Sequence, residues 1–419
     1  MKLVLMPVGS AGDVIPTLAI ASALESQGHQ TLTIASPWYE SLAAKHHLPF
    51  APAGPKDSAF ESATLAREHP EMFARFGTFH LFRTWVPLSA DAMFEDVHHA
   101  IQSFKPDRII LHPLAFAAWW SARVLDIEHV GFALSPSTFL SADDPSIYPV
   151  GFSKPGVPKW FLRFNNACAA LTLRALADGP LNRIAKRRDL PRFKNAFTKD
   201  LTANLPIIAG AWAPEFRPSA PDDPPGLHIT GFPFLPQPDR ALSEPTTRFL
   251  NNHAPPIVVA LGSVLSQSLR DEYLAIAGSI RKADHPAIFV AADDIITDAE
   301  LPPNSIRTKW EPFDALFPRA ALVVHHAGIG TTAQVLAAGK PHLILPQAHD
   351  QFDNAARVQR LDLGRSLAPP AKTDRIIKAL QHLIEDPHTQ AQSERIGVSI
   401  RSQNGASDAA SLLTRPIPQ

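Results

Sequence analysis

The segment from Trp310 to Gln351 holds the residues best suited to binding a phosphorylated ligand. An apolar run at Ala320–Val324 predicts a buried strand, and His325-His326-Ala327-Gly328-Ile329-Gly330-Thr331-Thr332 follows it. Helix-forming residues then continue from Thr332 to Ala338. A strand that turns through glycines into a helix leaves unpaired N–H groups at the positive end of the helix dipole. This order of residues therefore predicts an anion site.

Side chains around that loop add groups for the rest of a ligand. Histidine and threonine can donate to phosphate oxygens, and an exposed tryptophan ring can stack on a nucleobase. Trp310 also fits a core position, because tryptophan is usually largely buried. Polar groups after the next strand, predicted at Pro341–Pro346, suit a polyol. The candidate ligand-binding residues of this segment are Trp310, His326, Gly328, Gly330, Thr331, Thr332, Gln334, Asp350 and Gln351.

Two further loops have a glycine at the end of a predicted strand. Gly9, Gly12 and Asp13 follow the first strand, and Asp13 is either a catalytic carboxylate or only a cap for the helix that follows. His112, directly after the predicted strand Arg108–Leu111, is the alternative catalytic base. Gly262-Ser263 repeats the arrangement later in the chain, where an ordinary turn is the alternative.

Aromatic residues are dense in two stretches that could contact an apolar ligand. The first runs from Met72 to Trp85 and includes Phe76, Phe79, Phe82 and Trp85. The second, Trp160–Leu181, includes Phe161 and is predicted to be helical, with arginines along it. Such a helix most often faces a core, but it would also suit an anionic membrane surface. Both readings stay open on sequence alone.

The histidines do not form a metal-binding pattern. Adjacent pairs such as His46-His47 diverge on a helix or strand, and no H-E-x-x-H or D-x-D spacing occurs. We therefore expect a metal-independent site without a cofactor.

Composition limits the class of protein. The chain has 419 residues, a formal net charge of −1 and one cysteine, Cys168. The near-neutral charge argues against a nucleic-acid partner, and a lone cysteine suits a reducing compartment. The opening residues favour a buried strand over a leader, and no apolar run is long enough to span a bilayer. We expect a cytoplasmic protein, with peripheral contact to the inner membrane left open.

Short apolar runs alternate with helical stretches in both halves of the chain, which is typical of parallel α/β sheets. A proline-rich stretch, Ala211–Arg240, is expected to form an extended connection with one short strand at Leu227–Thr230. The pattern predicts two doubly wound, Rossmann-like domains that face each other across a crevice. The predicted strands are Lys2–Pro7, Gln30–Ala35, Arg108–Leu111, Val130–Ala133, Pro206–Ala209, Ile257–Leu261, Ala287–Ala291 and Leu322–His325, with helices at Pro16–Gln27, Phe116–Val124 and Leu269–Lys282.

The motifs resemble those of family 1 glycosyltransferases, which have the GT-B fold. The likeness covers Trp310-x-Pro312, the histidine–glycine loop, Gly339-Lys340-Pro341, Asp350-Gln351-x-x-Asn354-Ala355 and, near the N-terminus, Gly9-Ser10-Ala11-Gly12-Asp13. It implies an acceptor domain at 1–236, a nucleotide-sugar domain at 237–400 and a tail at 401–419 that packs back on the first domain.

The resemblance also implies roles for individual residues. Trp310 would stack on the base, the histidine–glycine loop would hold the diphosphate, and Asp350 with Gln351 would bind the sugar. Gln334 stands where many relatives have a ribose-binding glutamate. Gly12, Gly262 and Ser263 would also approach the donor. Asp13 would be the base, and the acceptor would meet the aromatic residues together with Ser137.

Within the family, the segments Ser135–Ala142, Thr230–Pro233 and Ala348–Ala355 are similar to those of rhamnolipid rhamnosyltransferases. This implies an inverting transfer of rhamnose from dTDP-L-rhamnose to the hydroxyl of a 3-(3-hydroxyalkanoyloxy)alkanoic acid. Two alternatives remain: a family 1 enzyme that glycosylates a sterol, polyketide or other small hydrophobic alcohol, and a non-catalytic homologue that acts as a partner protein. The oligomeric state is not predicted.

Overall fold

The computed structural model describes residues 1–54, 77–147, 156–236, 241–262, 267–292 and 295–418. The chain divides into two units. The N-terminal unit draws its described residues from 1–236 and 404–419, and the C-terminal unit draws its own from 237–403.

The N-terminal unit contains a parallel sheet of seven strands in the order β3-β2-β1-β4-β5-β6-β7. Its strands are mostly continuous apolar runs, as expected where helices cover both faces of a parallel sheet. They are β1 (Lys2–Met6), β2 (Gln30–Ala35), β3 (Phe50–Pro52), β4 (Arg108–Leu111), β5 (Glu128–Ala133), β6 (Ile208–Gly210) and β7 (Leu227–Ile229).

The C-terminal unit contains a parallel sheet of six strands in the order β10-β9-β8-β11-β12-β13. Ile257 and Val259 pack into one apolar cluster and Val258 into another, so both faces of this sheet are covered. The strands are β8 (Ile257–Val259), β9 (Ala287–Val290), β10 (Ser305–Thr308), β11 (Leu322–His325), β12 (His342–Ile344) and β13 (Gly364–Ser366).

Helices follow most strands in both units. In the N-terminal unit they are α1 (Ala11–Ser26), α2 (Glu40–Lys45), α3 (Gly77–His80), α4 (Val86–Phe104), α5 (Phe116–Val124), α6 (Lys159–Arg187) and, from the end of the chain, α14 (Gly405–Leu413). In the C-terminal unit they are α7 (Glu244–Asn252), α8 (Gln267–Ala283), α9 (Phe313–Leu316), α10 (Ile329–Ala338), α11 (Gln351–Arg360), α12 (Thr373–Glu385) and α13 (Pro387–Arg401).

The remaining helical segments are short. They are 3₁₀ turns at Pro37–Tyr39, Pro136–Thr138, Asp298–Glu300 and Phe317–Arg319, and π-helical segments at Leu81–Trp85 and Ala196–Ala203. Among the helices of the described ranges, none is both long enough and apolar enough to cross a membrane. Two parallel, doubly wound α/β units confirm the predicted fold class.

The proline-rich stretch differs from its prediction. The expected extended connection is packed into the N-terminal unit as far as residue 236. Trp212, Phe216 and Phe232 are almost fully buried, and the Arg217 guanidinium binds both carboxylate oxygens of Asp223 at 2.5 Å. Proline restricts the backbone without preventing burial of its neighbours, so proline density alone did not reveal that this connection packs into the unit.

Each sheet reverses its strand order at one place. In the first sheet, β2 and β3 follow β1 on one side, and β4 to β7 follow on the other side of β1. In the second sheet, β8 lies between β9 and β11 in the same way. Within the first sheet, the loops after β1 and β4 therefore lie side by side, and within the second sheet so do the loops after β8 and β11. In open α/β sheets, ligands bind at such a position. These loops hold Asp13 and His112 in one unit and Gly262 and His326 in the other.

Candidate active site

Asp13 lies in the first turn of α1 and has a clear structural task. Its Oδ2 accepts a hydrogen bond from the Ser10 backbone N–H at 2.8 Å, while the Ser10 hydroxyl oxygen accepts from Gly12 N–H at 3.2 Å. This reciprocal arrangement is a capping box, so the alternative interpretation of Asp13 as a helix cap is correct as far as it goes. The second oxygen, Oδ1, faces a different group.

That group is His112, whose Nε2 lies 3.6 Å from Asp13 Oδ1. The Leu114 backbone N–H donates to His112 Nδ1 at 3.3 Å, which places the proton of a neutral ring on Nε2. Burial lowers the pKa of His112 to about 3, so the ring is neutral near pH 7. The proton on Nε2 therefore points towards the carboxylate. In this tautomer His112 has no acceptor nitrogen facing Asp13, since Nδ1 already accepts from Leu114 N–H.

A small cavity adjoins the loop after β1. Its walls include Gly9, Tyr39, Trp85 and Met93. Trp85 was predicted to contact an apolar ligand and does border this space. Tyr39 and Met93 were not predicted, because nothing in their local sequence separates them from ordinary core residues.

The other predicted acceptor residues are more scattered. Phe82 is buried in the core and packs edge-on against Phe197, with ring centroids 4.7 Å apart, and its contact with a ligand stays a prediction. Phe79 is exposed, and the Ser137 hydroxyl lies 3.0 Å from that of Ser135. Phe161 is half-buried on α6. Phe76 lies outside the described residues.

The anion loop of the C-terminal unit begins its helix earlier than predicted. Helix α10 starts at Ile329, with Gly328 as its N-cap, instead of at Thr332. The first N–H groups of a helix have no acceptor within it, so the backbone N–H groups of Ile329, Gly330 and Thr331 can bond only to acceptors outside the helix. Thr332 is fully buried and its hydroxyl donates to Gly328 O at 3.0 Å. Its hydroxyl is thus engaged within the loop, and its role as a side-chain donor to a ligand stays a prediction.

His326, at the end of β11, is held by a carboxylate that the sequence did not reveal. Its Nε2 lies 2.8 Å from Oε2 of Glu272, on α8, and both side chains are largely buried. The other Glu272 oxygen accepts from the side-chain amide of Gln347, in the loop after β12. Glu272 thus joins the loop proposed for phosphate to the loop proposed for sugar.

Those two loops also share a buried amide. Asn354 donates from Nδ2 to Ala327 O and to Asp350 Oδ2, both at 2.9 Å. Ala327 has a φ of 64°, an unusual left-handed conformation for a residue with a side chain. Gln351 Oε1 accepts from the backbone N–H of Gln347 at 2.7 Å. Asp350 and Gln351 are therefore both oriented by the loops around them.

Two buried histidines lie beneath the anion loop. The Ala327 N–H donates to His325 Nδ1 at 3.1 Å, and His325 Nε2 is 2.9 Å from His342 Nδ1. Burial lowers the pKa of both rings, that of His342 to about 3. Because both rings are neutral, the two histidines do not repel each other and need no carboxylate to balance a buried charge. In the described part of the chain, no group of three or more His, Cys, Asp or Glu side chains could hold a metal ion.

Trp310 is 59% exposed, which excludes the core alternative. The next residue, Glu311, is buried and anchors the turn: its carboxylate accepts from the hydroxyls of Ser243 and Thr246, each at 2.5 Å, and of Thr308 at 3.1 Å. These bonds lower the pKa of Glu311 against the opposing effect of burial. The exposed indole therefore stands on a firmly held turn.

The remaining predicted donor residues are partly described. Gly262 has a φ of 104°, and no atom of the described residues lies within 4 Å of a Cβ added there. Gly12 is part of the Ser10 cap, and Gln334 is half-buried on α10. Ser263 lies outside the described residues.

Known proteins resemble the chain in sequence and in fold. Residues 275–413 match the family model for the C-terminal domain of erythromycin biosynthesis protein CIII-like proteins. The chain is 24% identical to O-mycaminosyltylonolide 6-deoxyallosyltransferase of Streptomyces fradiae, with 99% of this chain and 97% of that protein covered. It is 26% identical to the sterol 3-beta-glucosyltransferase of Emericella nidulans, but spans only 30% of that longer protein.

Among solved structures, glycosyltransferase VinC in complex with dTDP superposes with a TM-score of 0.70 at 18% identity, with 99% of each chain covered. An identity this low supports the fold and not the substrate. Both units therefore have the fold of GT-B glycosyltransferase structures, and the sequence relatives of the chain are glycosyltransferases.

Proposed function

We propose that this protein transfers L-rhamnose from dTDP-L-rhamnose, with inversion, to the hydroxyl of a 3-(3-hydroxyalkanoyloxy)alkanoic acid. The observation that carries the catalytic part is the pairing of Asp13 with a neutral, proton-bearing His112 at the switch point of the first sheet. The sugar and acceptor rest on the motif likeness. A dTDP-bound structural relative and a relative that transfers a 6-deoxyhexose, the class to which rhamnose belongs, support the donor.

In the proposed reaction, the acceptor hydroxyl attacks the anomeric carbon on the side opposite the diphosphate. Asp13 accepts the hydroxyl proton, and His112 orients the carboxylate through the proton on Nε2. General base catalysis of this kind contributes about 10²–10⁴-fold to the rate. A lipid-like acceptor would exclude water from Asp13 as it binds, which strengthens the carboxylate as a base.

The departing diphosphate needs positive charge or hydrogen-bond donors. We assign this task to the N-terminus of α10, with the backbone N–H groups of Gly330 and Thr331, and to the protonated form of His326, in which Nε2 donates to Glu272 and Nδ1 has a proton to donate to the diphosphate. Trp310 would stack on thymine, and Gln334 would bind the ribose. Asp350 and Gln351 would bind sugar hydroxyls. A helix dipole and histidine donors supply the stabilisation that a metal ion supplies in other transferases, so we expect activity without added metal.

A second candidate acceptor class is a polyketide or sterol alcohol. The relatives named for a tylonolide and for sterols favour it. The same active-site residues would serve, because either acceptor presents a hydroxyl on an apolar body. A non-catalytic partner protein is the third candidate, and it would not require the geometry of Asp13 and His112.

A turnover assay separates these candidates. Each acceptor, 3-(3-hydroxydecanoyloxy)decanoic acid, a sterol and a macrolide aglycone, is incubated with dTDP-L-rhamnose, with UDP-glucose or with no donor, and products are identified by mass spectrometry. We expect product only in the reaction that contains both 3-(3-hydroxydecanoyloxy)decanoic acid and dTDP-L-rhamnose. Product from another pair would replace the proposed substrates. Binding of dTDP without product from any pair would favour the partner protein.

A further inference from the structure

The outer side of α6 presents an apolar surface that the proposed reaction does not use. Trp160, Phe164 and Leu171 are 70%, 62% and 64% exposed. At about 100° per residue, their spacing places all three within an arc of about 40° on one side of the helix. Cys168 is also exposed on this side, and we call these four residues the α6 apolar face.

This face is not the side by which α6 joins the protein. Leu162, Ala177 and Leu181 are buried, and the latter two belong to the main apolar core of the N-terminal unit. The helix is therefore apolar on its packed side and, over its first half, on its solvent side as well. Single exposed apolar side chains are common, but an aligned set of large ones marks an interaction surface.

The charge of the helix indicates the kind of partner. From Lys159 to Arg188 there are seven cationic residues and one acidic residue, Asp178. Arg163, Arg183 and Lys186 are exposed, and none forms an ion pair with a carboxylate in the described ranges.

The exposed cations lie beside the α6 apolar face and beyond it along the helix. Arg163 borders the α6 apolar face, whereas Lys186 lies about 22 Å beyond Leu171 along the helix axis at about 1.5 Å per residue. An anionic partner is required to match this charge, and an apolar layer is required to cover the aromatic rings.

We propose that α6 docks on an anionic lipid surface. The α6 apolar face enters the boundary between head groups and acyl chains, where tryptophan is favoured, and the cations contact anionic head groups. A lipid surface supplies both the apolar layer and the negative charge along the length of one helix. The proposal does not depend on the reaction or on the identity of the acceptor.

The only cysteine of the chain provides the probe. Cys168 is labelled with an environment-sensitive nitrobenzoxadiazole dye in the full-length protein, and the protein is mixed with phosphatidylcholine vesicles with or without phosphatidylglycerol. We expect a blue shift of dye emission and protection from iodide only with the anionic vesicles, both weakened by added salt. An unchanged emission spectrum would overturn the proposal, as would an equal shift with neutral vesicles.

Charge reversal tests the electrostatic part. The combined change Arg163→Glu, Arg183→Glu and Lys186→Glu is expected to lower vesicle partitioning by about 100-fold or more, since each cation near the surface contributes about fivefold. The matched control, Arg375→Glu with Lys378→Glu, alters two exposed cations on α12 and should leave partitioning unchanged. Equal partitioning of the α6 variant and its control would contradict the proposal.

Removal of the apolar groups tests insertion. Trp160→Ser, Phe164→Ser and Leu171→Ser together should abolish the blue shift, whereas Val398→Ser, at a side chain 55% exposed on α13, should preserve it. Calorimetric binding of dTDP should be retained in every variant, which excludes misfolding as the cause. If light scattering shows a dimer that the triple change dissociates, and vesicles cause no shift, this face joins two copies and the lipid proposal is wrong.

Discussion

Replacing Asp13 with asparagine separates the catalytic carboxylate from the helix cap. The asparagine oxygen can still accept the Ser10 N–H that Asp13 now accepts at 2.8 Å, but an amide cannot take a proton at neutral pH. The loss of negative charge near the start of α1 costs only about 0.3–1 kcal/mol of stability. Loss of a general base lowers kcat by about 10²–10⁴-fold, or about 3–5 kcal/mol in barrier height.

The matched control is Ser10→Ala, which damages the cap and keeps the carboxylate. It removes the acceptor of Gly12 N–H and should destabilise the protein by about 0.5–2 kcal/mol, with a much smaller loss of kcat than Asp13→Asn.

Release of dTDP is followed at saturating donor and acceptor, dTDP binding is measured by calorimetry, and stability by urea unfolding. Asp13→Asn should lower kcat and leave dTDP binding intact. Equal turnover losses in the two variants, or a turnover in Asp13→Asn close to that of the natural protein, would show that Asp13 is only a cap.

Three further predictions concern the donor site and pH. Trp310→Ala should weaken dTDP binding by about 1–3 kcal/mol, with Trp310→Phe restoring most of it and thermal stability unchanged in both; calorimetry with equal affinities would exclude stacking. Glu272→Gln should weaken dTDP binding in the natural protein, and it should weaken it less in a protein that already has His326→Ala, because the two side chains are 2.8 Å apart. Additive losses of binding energy in this double-mutant cycle would show that Glu272 does not act through His326. Stability should fall as pH drops from about 6.5 towards 3, because the unfolded chain takes up protons that neutral, buried His112 and His342 do not. Urea unfolding across that range should show a smaller decline for His342→Gln, and an unchanged slope would remove His342 from the cause.

Local sequence patterns located many of the elements correctly. The strands Arg108–Leu111 and Leu322–His325 and the helix Phe116–Val124 have the predicted bounds. Buried parallel strands are short continuous apolar runs, which stand out from the helices between them. The start of α10 was predicted three residues late, because Gly328 caps that helix without the side-chain signal of Ser, Thr, Asp or Asn.

The residues around the donor loops show the limit of local patterns. Glu272 lies 54 positions from His326, and in the sequence it resembles any acidic residue on the solvent side of a helix. Proline density around Trp212 similarly suggested an extended connection and gave no sign that the indole is buried and that its Nε1–H donates to Arg217 O at 3.0 Å. Only packing shows which polar residues are enclosed.

The sequence by itself determined the two α/β units and the residue types at the strand ends, because hydrophobic periodicity, glycine turns and helix signals act over a few neighbouring residues. It also supplied Asp13, His112, His326 and Trp310 as candidates. Tertiary structure decided their states: β4 pairs with β1 and brings His112 to Asp13, burial keeps that imidazole neutral, and Glu272 takes the Nε2 side of His326. These properties depend on distance and solvent exclusion between segments far apart in the chain, which no local pattern records.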